Sequence, residues 1–158
     1  MRTEQTADHA AIFCQNLLGM MTLPEFEDAA VDLVDIEWQE RGKRVLRRQS
    51  RTGRAFRILL PANQFLDHGA IIARDDERAV AINILPCEAF VMRGSPDQLI
   101  SIAYGLGNLH LPAEIGRAEI IVPASQFAEA ALGKLGIKFE AATRRIQVAF
   151  ELLPRLDT

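Results

Sequence analysis

The sequence predicts an all-β domain, a small sandwich or barrel, followed by an α+β domain. Two observations carry that prediction. Hydrophobic residues repeat with period two as far as Pro86, and two helix-start signals occur only beyond it. The length of 158 residues suits one ordinary domain or two small ones. A hydrophobic content of 49% with 25% charged residues fits a globular chain.

In the first half, Val34, Ile36 and Trp38 alternate with Asp35 and Glu37, the pattern of a half-buried strand. Phe56, Ile58 and Leu60 alternate likewise, after a turn at Arg51-Thr52-Gly53-Arg54. Residues 70–73 predict another strand, 74–78 a polar turn, and Val80, Ile82 and Ile84 the next strand. Short strands between turns define a β domain over residues 23–86. Ahead of it, residues 1–22 read as a leader, with an amphipathic helix expected over Ala10 to Met21.

Past Pro86, Glu88 to Arg93 reads as a buried strand. Ser95-Pro96-Asp97-Gln98 is a capping box with proline in the first helical position. Leu99, Ile102, Ala103 and Leu106 then share a helix face, and Gly107 is expected to stop that helix. A strand follows at Ala118 to Val122, then a helix capped by Ser125 and ended by Gly136. Strand again is expected at Ile137 to Ala141 and at Ile146 to Phe150. This order is the split βαβ, ferredoxin-like plan, over residues 87–153 with a short tail at 154–158.

Charge is strongly segregated. Every charged residue from Glu25 to Glu40 is acidic, and every one from Arg41 to Arg57 is basic. Acids and bases facing each other as cross-strand pairs on adjacent strands account for this. A nucleic-acid footprint is disfavoured, because the acidic stretch repels phosphate and no aromatic residue is interleaved between Arg41 and Arg54. No apolar run approaches the roughly 20 residues of a membrane span. The N-terminus carries Glu4 and Asp8 where a secretory signal needs positive charge. Cys14 and Cys87 are too far apart in sequence to form a metal knuckle, so a reduced, cytoplasmic protein is expected.

An enzyme is not expected. The order of serine, histidine and acid suggests no triad, and no glycine-rich loop follows a strand to cradle phosphate. Asp75-Asp76-Glu77 reads as a solvated turn. The chemistry-bearing segment is Ala103-Tyr104-Gly105-Leu106-Gly107-Asn108-Leu109-His110-Leu111-Pro112, which presents one histidine after a helix. With three histidines and two cysteines in the chain, any transition-metal site must be built from a short list headed by His110. On residue chemistry alone, a lone histidine among leucines is more often a packed side chain with one hydrogen bond. His68, which follows Asp67, reads as a polar loop residue or a peripheral metal contact. His9 and Cys14 are five apart, a poor spacing for ligands on one helical face.

The segment from Ala103 to Pro112 resembles the urease accessory protein (UreE) family of nickel metallochaperones, which commonly shows Ala-x-His-Leu-Gly-Asn-x-His-x-Pro there. Gly107, Asn108, His110 and Pro112 match that motif. Upstream, Trp38-Gln39-Glu40-Arg41-Gly42-Lys43-Arg44 is similar to the signature of the family's first domain. Leu59-Leu60-Pro61, with Leu66, Gly69 and Ile72 beyond, is similar to its strand end and following loop. The order of domains also agrees.

The resemblance implies a homodimer in which His110 binds Ni²⁺ together with its counterpart in the second chain, so that two-fold symmetry doubles the ligands. Zn²⁺ or Cu²⁺ would bind the same imidazoles in vitro. It implies delivery to the urease apoprotein through other urease accessory proteins. Leu109 and Leu111 would then suit the dimer interface. The departures predict low metal capacity: Gly105 stands where the family usually has histidine, Ser125-Gln126 replaces an aspartate-histidine pair, and the tail has no histidine. The alternative is an adaptor that keeps the scaffold with a degenerate metal site and docks proteins through its basic stripe.

Overall fold

A computed structural model describes residues 10–22 and 30–147. The chain divides into two compact units, Met1–Asn83 and Ile84–Thr158. The expected strand at Ile146 to Phe150 lies mostly outside the described residues, although Ile146 itself is fully buried.

All regular structure described in the first unit is extended, apart from one 3-10 turn. Its strands are β1 (Ile12–Cys14), β2 (Gly19–Met20), β3 (Val31–Ile36), β4 (Val45–Gln49), β5 (Ala55–Leu59), β6 (Ala70–Arg74) and β7 (Ala79–Ile84), the last ending at the unit boundary. Hydrogen bonding divides them into a three-stranded sheet of order β1-β5-β4 and a four-stranded sheet of order β2-β6-β7-β3. The period-two pattern is realised in burial: Asp32, Val34 and Ile36 point inward on β3, and Phe56 and Ile58 on β5.

Two expectations fail here. Residues 10–22 are not a helical leader. Ile12 to Cys14 pair in parallel with Phe56 to Ile58, and Gly19–Met20 pair with Ile71 and Ala70. Gln15, Asn16 and Gly19, with φ of +149° at the glycine, interrupt the apolar run. Tertiary pairing then outweighs the helical period of so short a stretch. Trp38 does not continue β3 either. It opens a 3-10 turn, Trp38–Glu40, in which the Glu40 carboxylate accepts from Glu37 N–H at 3.0 Å.

The acidic and basic runs do pair, but not across one ladder. β3 is hydrogen-bonded to β7, and β4 to β5. The ion pairs instead join different strands and turns: Arg51 to Asp35 at 3.0 Å, Arg54 to Asp75 at 3.1 Å, and Arg48 and Lys43 to Glu40. Arg41, only 3% exposed, pairs with Asp67 and lies 5.5 Å over the Phe65 ring. Its carbonyl accepts from Leu66 N–H at 3.0 Å, so Arg41 straps the loop after β5. Arg41 of the tryptophan–arginine–lysine signature is thus an internal brace, while Lys43 is exposed.

Asp32, 2% exposed, accepts from Thr52 N–H at 3.2 Å and Thr52 Oγ1–H at 2.6 Å. Burial raises its pKa, but donors from Ser50, Thr52 and Leu33 outweigh that effect and hold it below the ordinary value of 3.8. With the folded value depressed, the unfolded chain takes up the proton first. The contribution is therefore complete above pH 3.8 and is lost as pH falls through the lower folded value. Asp32→Ala is expected to lose about 2 kcal/mol at neutral pH. Urea unfolding from pH 3 to 7 checks it: an acid-side slope as steep in the variant as in the parent would refute it.

The second unit contains β8 (Cys87–Arg93), α1 (Pro96–Asn108), β9 (Glu114–Ile115), β10 (Glu119–Pro123), α2 (Gln126–Lys134) and β11 (Glu140–Arg144). The predicted order of strand, helix, strand, helix, strand is observed, with the short β9 ahead of β10, but the last strand runs Glu140–Arg144 and does not begin at Ile137. Its antiparallel sheet has the order β11-β8-β10-β9. Ser95 Oγ and Gln98 Oε1 form the predicted capping box, the glutamine oxygen accepting from Ser95 N–H at 2.8 Å. Ser125 Oγ caps α2 by accepting from Ala128 N–H at 3.0 Å. The core brings Met92, Leu99, Leu106, Ile120, Val122 and Leu132 together from both helices and the sheet.

Candidate metal centre

Helix α1 does not stop at Gly107, as the sequence suggested. Gly107 is helical and Asn108 is the last helical residue. His110 makes the stop, with φ of +55°. Its N–H donates to Gly107 O at 3.0 Å, and Leu111 N–H donates to Leu106 O at 3.1 Å. This pair of bonds is a Schellman motif with His110 in the left-handed position that glycine usually fills.

The second helix ends in the same way. Gly136 N–H donates to Gly133 O at 3.1 Å, Ile137 N–H donates to Leu132 O at 3.0 Å, and Gly136 has φ of +66°. The two endings read Leu106-Gly107-Asn108-Leu109-His110-Leu111 and Leu132-Gly133-Lys134-Leu135-Gly136-Ile137. Within one domain, then, the same motif is built once with glycine and once with histidine. Among the described residues His110 is the sole non-glycine at positive φ. A left-handed conformation costs an L-residue about 1–2 kcal/mol, and such local strain gathers at functional positions.

The motif fixes where the ring goes. Leu106 and Leu111 are 1% and 9% exposed in the core, with Leu109 packed against them. His110 is exposed between these anchors, and Pro112 behind it is half-buried. Leu111 is therefore a core residue and not an exposed one, while Leu109 is only partly buried against that core. The Schellman geometry turns residues of that spacing back onto the helix they follow. The exposed apolar side chains lie elsewhere on α1: Ile100 is 68% and Tyr104 73% exposed. Together with Gly107 they follow the i, i+4, i+7 spacing of one helix face. A Cβ placed at Gly107 would meet nothing within 4 Å, so packing within the chain does not require glycine there. At Gly105, a Cβ would lie 3.3 Å from Leu135 Cδ1.

Among the described residues, no three of His, Cys, Asp and Glu converge as a metal-binding group. His68 is half-buried in the first unit, beside the Asp67 that holds Arg41. Cys87 begins β8 and is half-buried, paired in register with Arg144. Cys14 is buried, its thiol donates to Asn16 O at 3.4 Å, and burial pushes its pKa up. His9 lies outside the described residues. The Asp75 carboxylate accepts from Glu77 and Arg78 N–H within the turn and pairs with Arg54 outside it.

Two family models match consecutive parts of the chain. The UreE urease accessory protein N-terminal domain matches residues 15–85, and the C-terminal domain of the same family residues 86–151. The chain belongs to the UreE urease accessory protein family. It is similar to the urease accessory protein UreE of Flavobacterium johnsoniae, 35% identical over 65% of this chain and 64% of that one, so this match spans less than two thirds of the relative. The UreE of Haemophilus influenzae strain PittEE is 33% identical over 85% of this chain and 76% of its own length. That of Bacillus sp. strain TB-90 is 31% identical over 86% and 93%. No helix among the described residues is long and apolar enough to cross a membrane.

Proposed function

We propose that this chain is a nickel-binding metallochaperone that delivers Ni²⁺ for assembly of the urease active site. The observation that carries this reading is His110: an exposed imidazole set in a strained left-handed helix stop whose anchors are buried on either side. One imidazole cannot hold Ni²⁺ alone, so two protomers supply one His110 each across a two-fold axis. The Ile100–Tyr104–Gly107 face is the surface for that contact, the bare Gly107 allowing close approach. Neutral imidazole nitrogen is a ligand type well suited to Ni²⁺. Few ligands and an open site favour hand-off over storage.

The β11-β8-β10-β9 order supports a ferredoxin-like metal-binding domain. In this reading the protein is a cytoplasmic homodimer that catalyses no reaction itself, and its partners are urease apoprotein and the other urease accessory proteins. His68 is a peripheral metal contact, and Zn²⁺ or Cu²⁺ substitutes in vitro.

Equilibrium dialysis is expected to find about one Ni²⁺ per dimer. His110→Ala should abolish that binding while sedimentation still reports a dimer. More than two tightly held ions per dimer, or unchanged binding in His110→Ala, would overturn the proposal. Unchanged binding, or normal urease activation by the variant in nickel-limited cells, favours the adaptor reading. A cationic sheet face in the first unit is the observation on that side.

A further inference from the structure

We infer that a groove on the outer face of the β1-β5-β4 sheet binds a small soluble ligand of the nucleoside diphosphate class. This inference holds under either reading above, because it involves neither His110 nor a metal.

Two adjacent rows of side chains build the groove. In the first, Phe13 is opposite Arg57 and Arg57 is opposite Arg47, one row across all three strands. In the second, Gln49 is opposite Ala55, and Ala11, two positions before Phe13, lines the same groove. The rows stand about 7 Å apart, the length of two residues along a strand. Both face away from the core, because the alternate residues Cys14, Leu46, Phe56 and Ile58 are buried. Short alanines beside long arginines leave a trough of about 690 Å³. Its floor is apolar, one wall is cationic, and the Gln49 amide stands at the end of the floor. No acid lines it among the described residues.

The wall suits an anion. Arg41, Lys43, Arg48, Arg51 and Arg54 all find carboxylates. Arg47 and Arg57 make no ion pair among the described residues. Like charges directly opposite in a ladder repel, so an anion shared between these two removes an unfavourable contact. The Arg57 guanidinium is held 5.6 Å over the Phe13 ring. Arg48 donates to Arg47 O at 2.8 Å and pairs with Glu40, which leaves the wall to the other two arginines. Guanidinium forks engage phosphate oxygens two at a time. Neighbouring strands set the two forks about 4.8 Å apart at their backbones, a span that two linked phosphoryl groups bridge. The alanine floor takes the flat face of a ring, and Gln49 offers both donor and acceptor to its polar edge. A diphosphate carried by a nucleoside meets wall, floor and amide together. The lining supplies neither a glycine-rich loop nor a carboxylate for Mg²⁺, so the groove binds its ligand without hydrolysing it. A nucleic-acid duplex fits less well, since tight duplex binding draws on about 6–10 phosphate contacts.

The test uses the full chain and ADP carrying a fluorescent methylanthraniloyl group on its ribose, read by anisotropy in EDTA. Saturable binding at one site per chain is expected. Unlabelled ADP should displace the probe, pyrophosphate should displace it more weakly, and adenosine least. The Arg47→Ser/Arg57→Ser protein should bind about tenfold more weakly, as expected for losing hydrogen bonds from charged donors. Its melting temperature should equal or exceed the parent's, because the repulsion is gone. Ala55→Leu, which fills the floor, should weaken ADP while leaving pyrophosphate unchanged. Equal ADP affinity in the parent and both variants, or no saturable binding by the parent, overturns the inference. Pyrophosphate binding as tightly as ADP overturns it in favour of a bare diphosphate. Displacement of the probe by phosphatidylglycerol vesicles and not by pyrophosphate overturns it in favour of a lipid surface.

Discussion

Replacing His110 by glycine is expected to make the second domain more stable, and replacing it by valine less stable. Glycine adopts φ of +55° freely, and a β-branched residue does not. The left-handed penalty of about 1–2 kcal/mol is relieved in His110→Gly, against about 0.5–1 kcal/mol of extra chain entropy lost on folding. The net gain is about 0.5–1 kcal/mol, and His110→Val loses about 1–2 kcal/mol. Urea denaturation of the three proteins without metal would measure this. A His110→Gly protein less stable than the parent would show that the imidazole itself supports the fold. The same glycine variant should lose nickel. Stability and binding then move in opposite directions from one substitution, as a site placed against the local preference of the chain requires.

Asp67→Ala is expected to lower the stability of the first domain by about 2 kcal/mol, the range for a hydrogen bond to a charged group. The Arg41 side chain is 3% exposed, and the substitution removes a carboxylate that it pairs with. Asp67 is itself 33% exposed, which moderates the effect. The double substitution Arg41→Met/Asp67→Ala should recover much of the loss, since methionine fills the site without needing a counter-charge. Guanidinium unfolding of both proteins decides it. If the double variant is as unstable as the single, Arg41 acts through its packing on Phe65 and the ion pair is incidental.

The parts of the fold that were legible share one property: a local signal that agrees with tertiary packing. The Ser95–Gln98 capping box, the Arg51–Arg54 turn and the alternation on β3 and β5 are such cases. Residues 12–20 were misread because three-residue and two-residue strands carry too little period to show against a helical reading. Parallel pairing with β5, some forty residues away, has no local trace. The charge runs were read as partners on one ladder, and the partners proved real while the ladder did not. Composition sets complementarity, but topology chooses the neighbours.

The site was half legible. His110 stands out by scarcity, but glycine is the usual stop residue, and Gly107 offers that signal three positions too early. The corrective signal lay in the sequence all along. Leu-Gly-Asn-Leu-His-Leu and Leu-Gly-Lys-Leu-Gly-Ile superpose position by position, and they put His110, not Gly107, in register with Gly136. Once the histidine is the left-handed residue, Leu106 and Leu111 become the apolar clasp beneath it.

The twin endings differ in one further way. Helix α2 carries Lys134 in its last turn, whereas α1 has no basic residue there. The aligned peptide dipoles of a helix leave about half an elementary negative charge at its C-terminus. On α2 a lysine offsets that field. On α1 it is left bare beside His110, at the end of thirteen residues of helix. A cation approaching the imidazole therefore meets a favourable potential of about 0.3–1 kcal/mol before any ligand bond forms. The backbone itself is a weak, non-selective attractor for positive charge at that point.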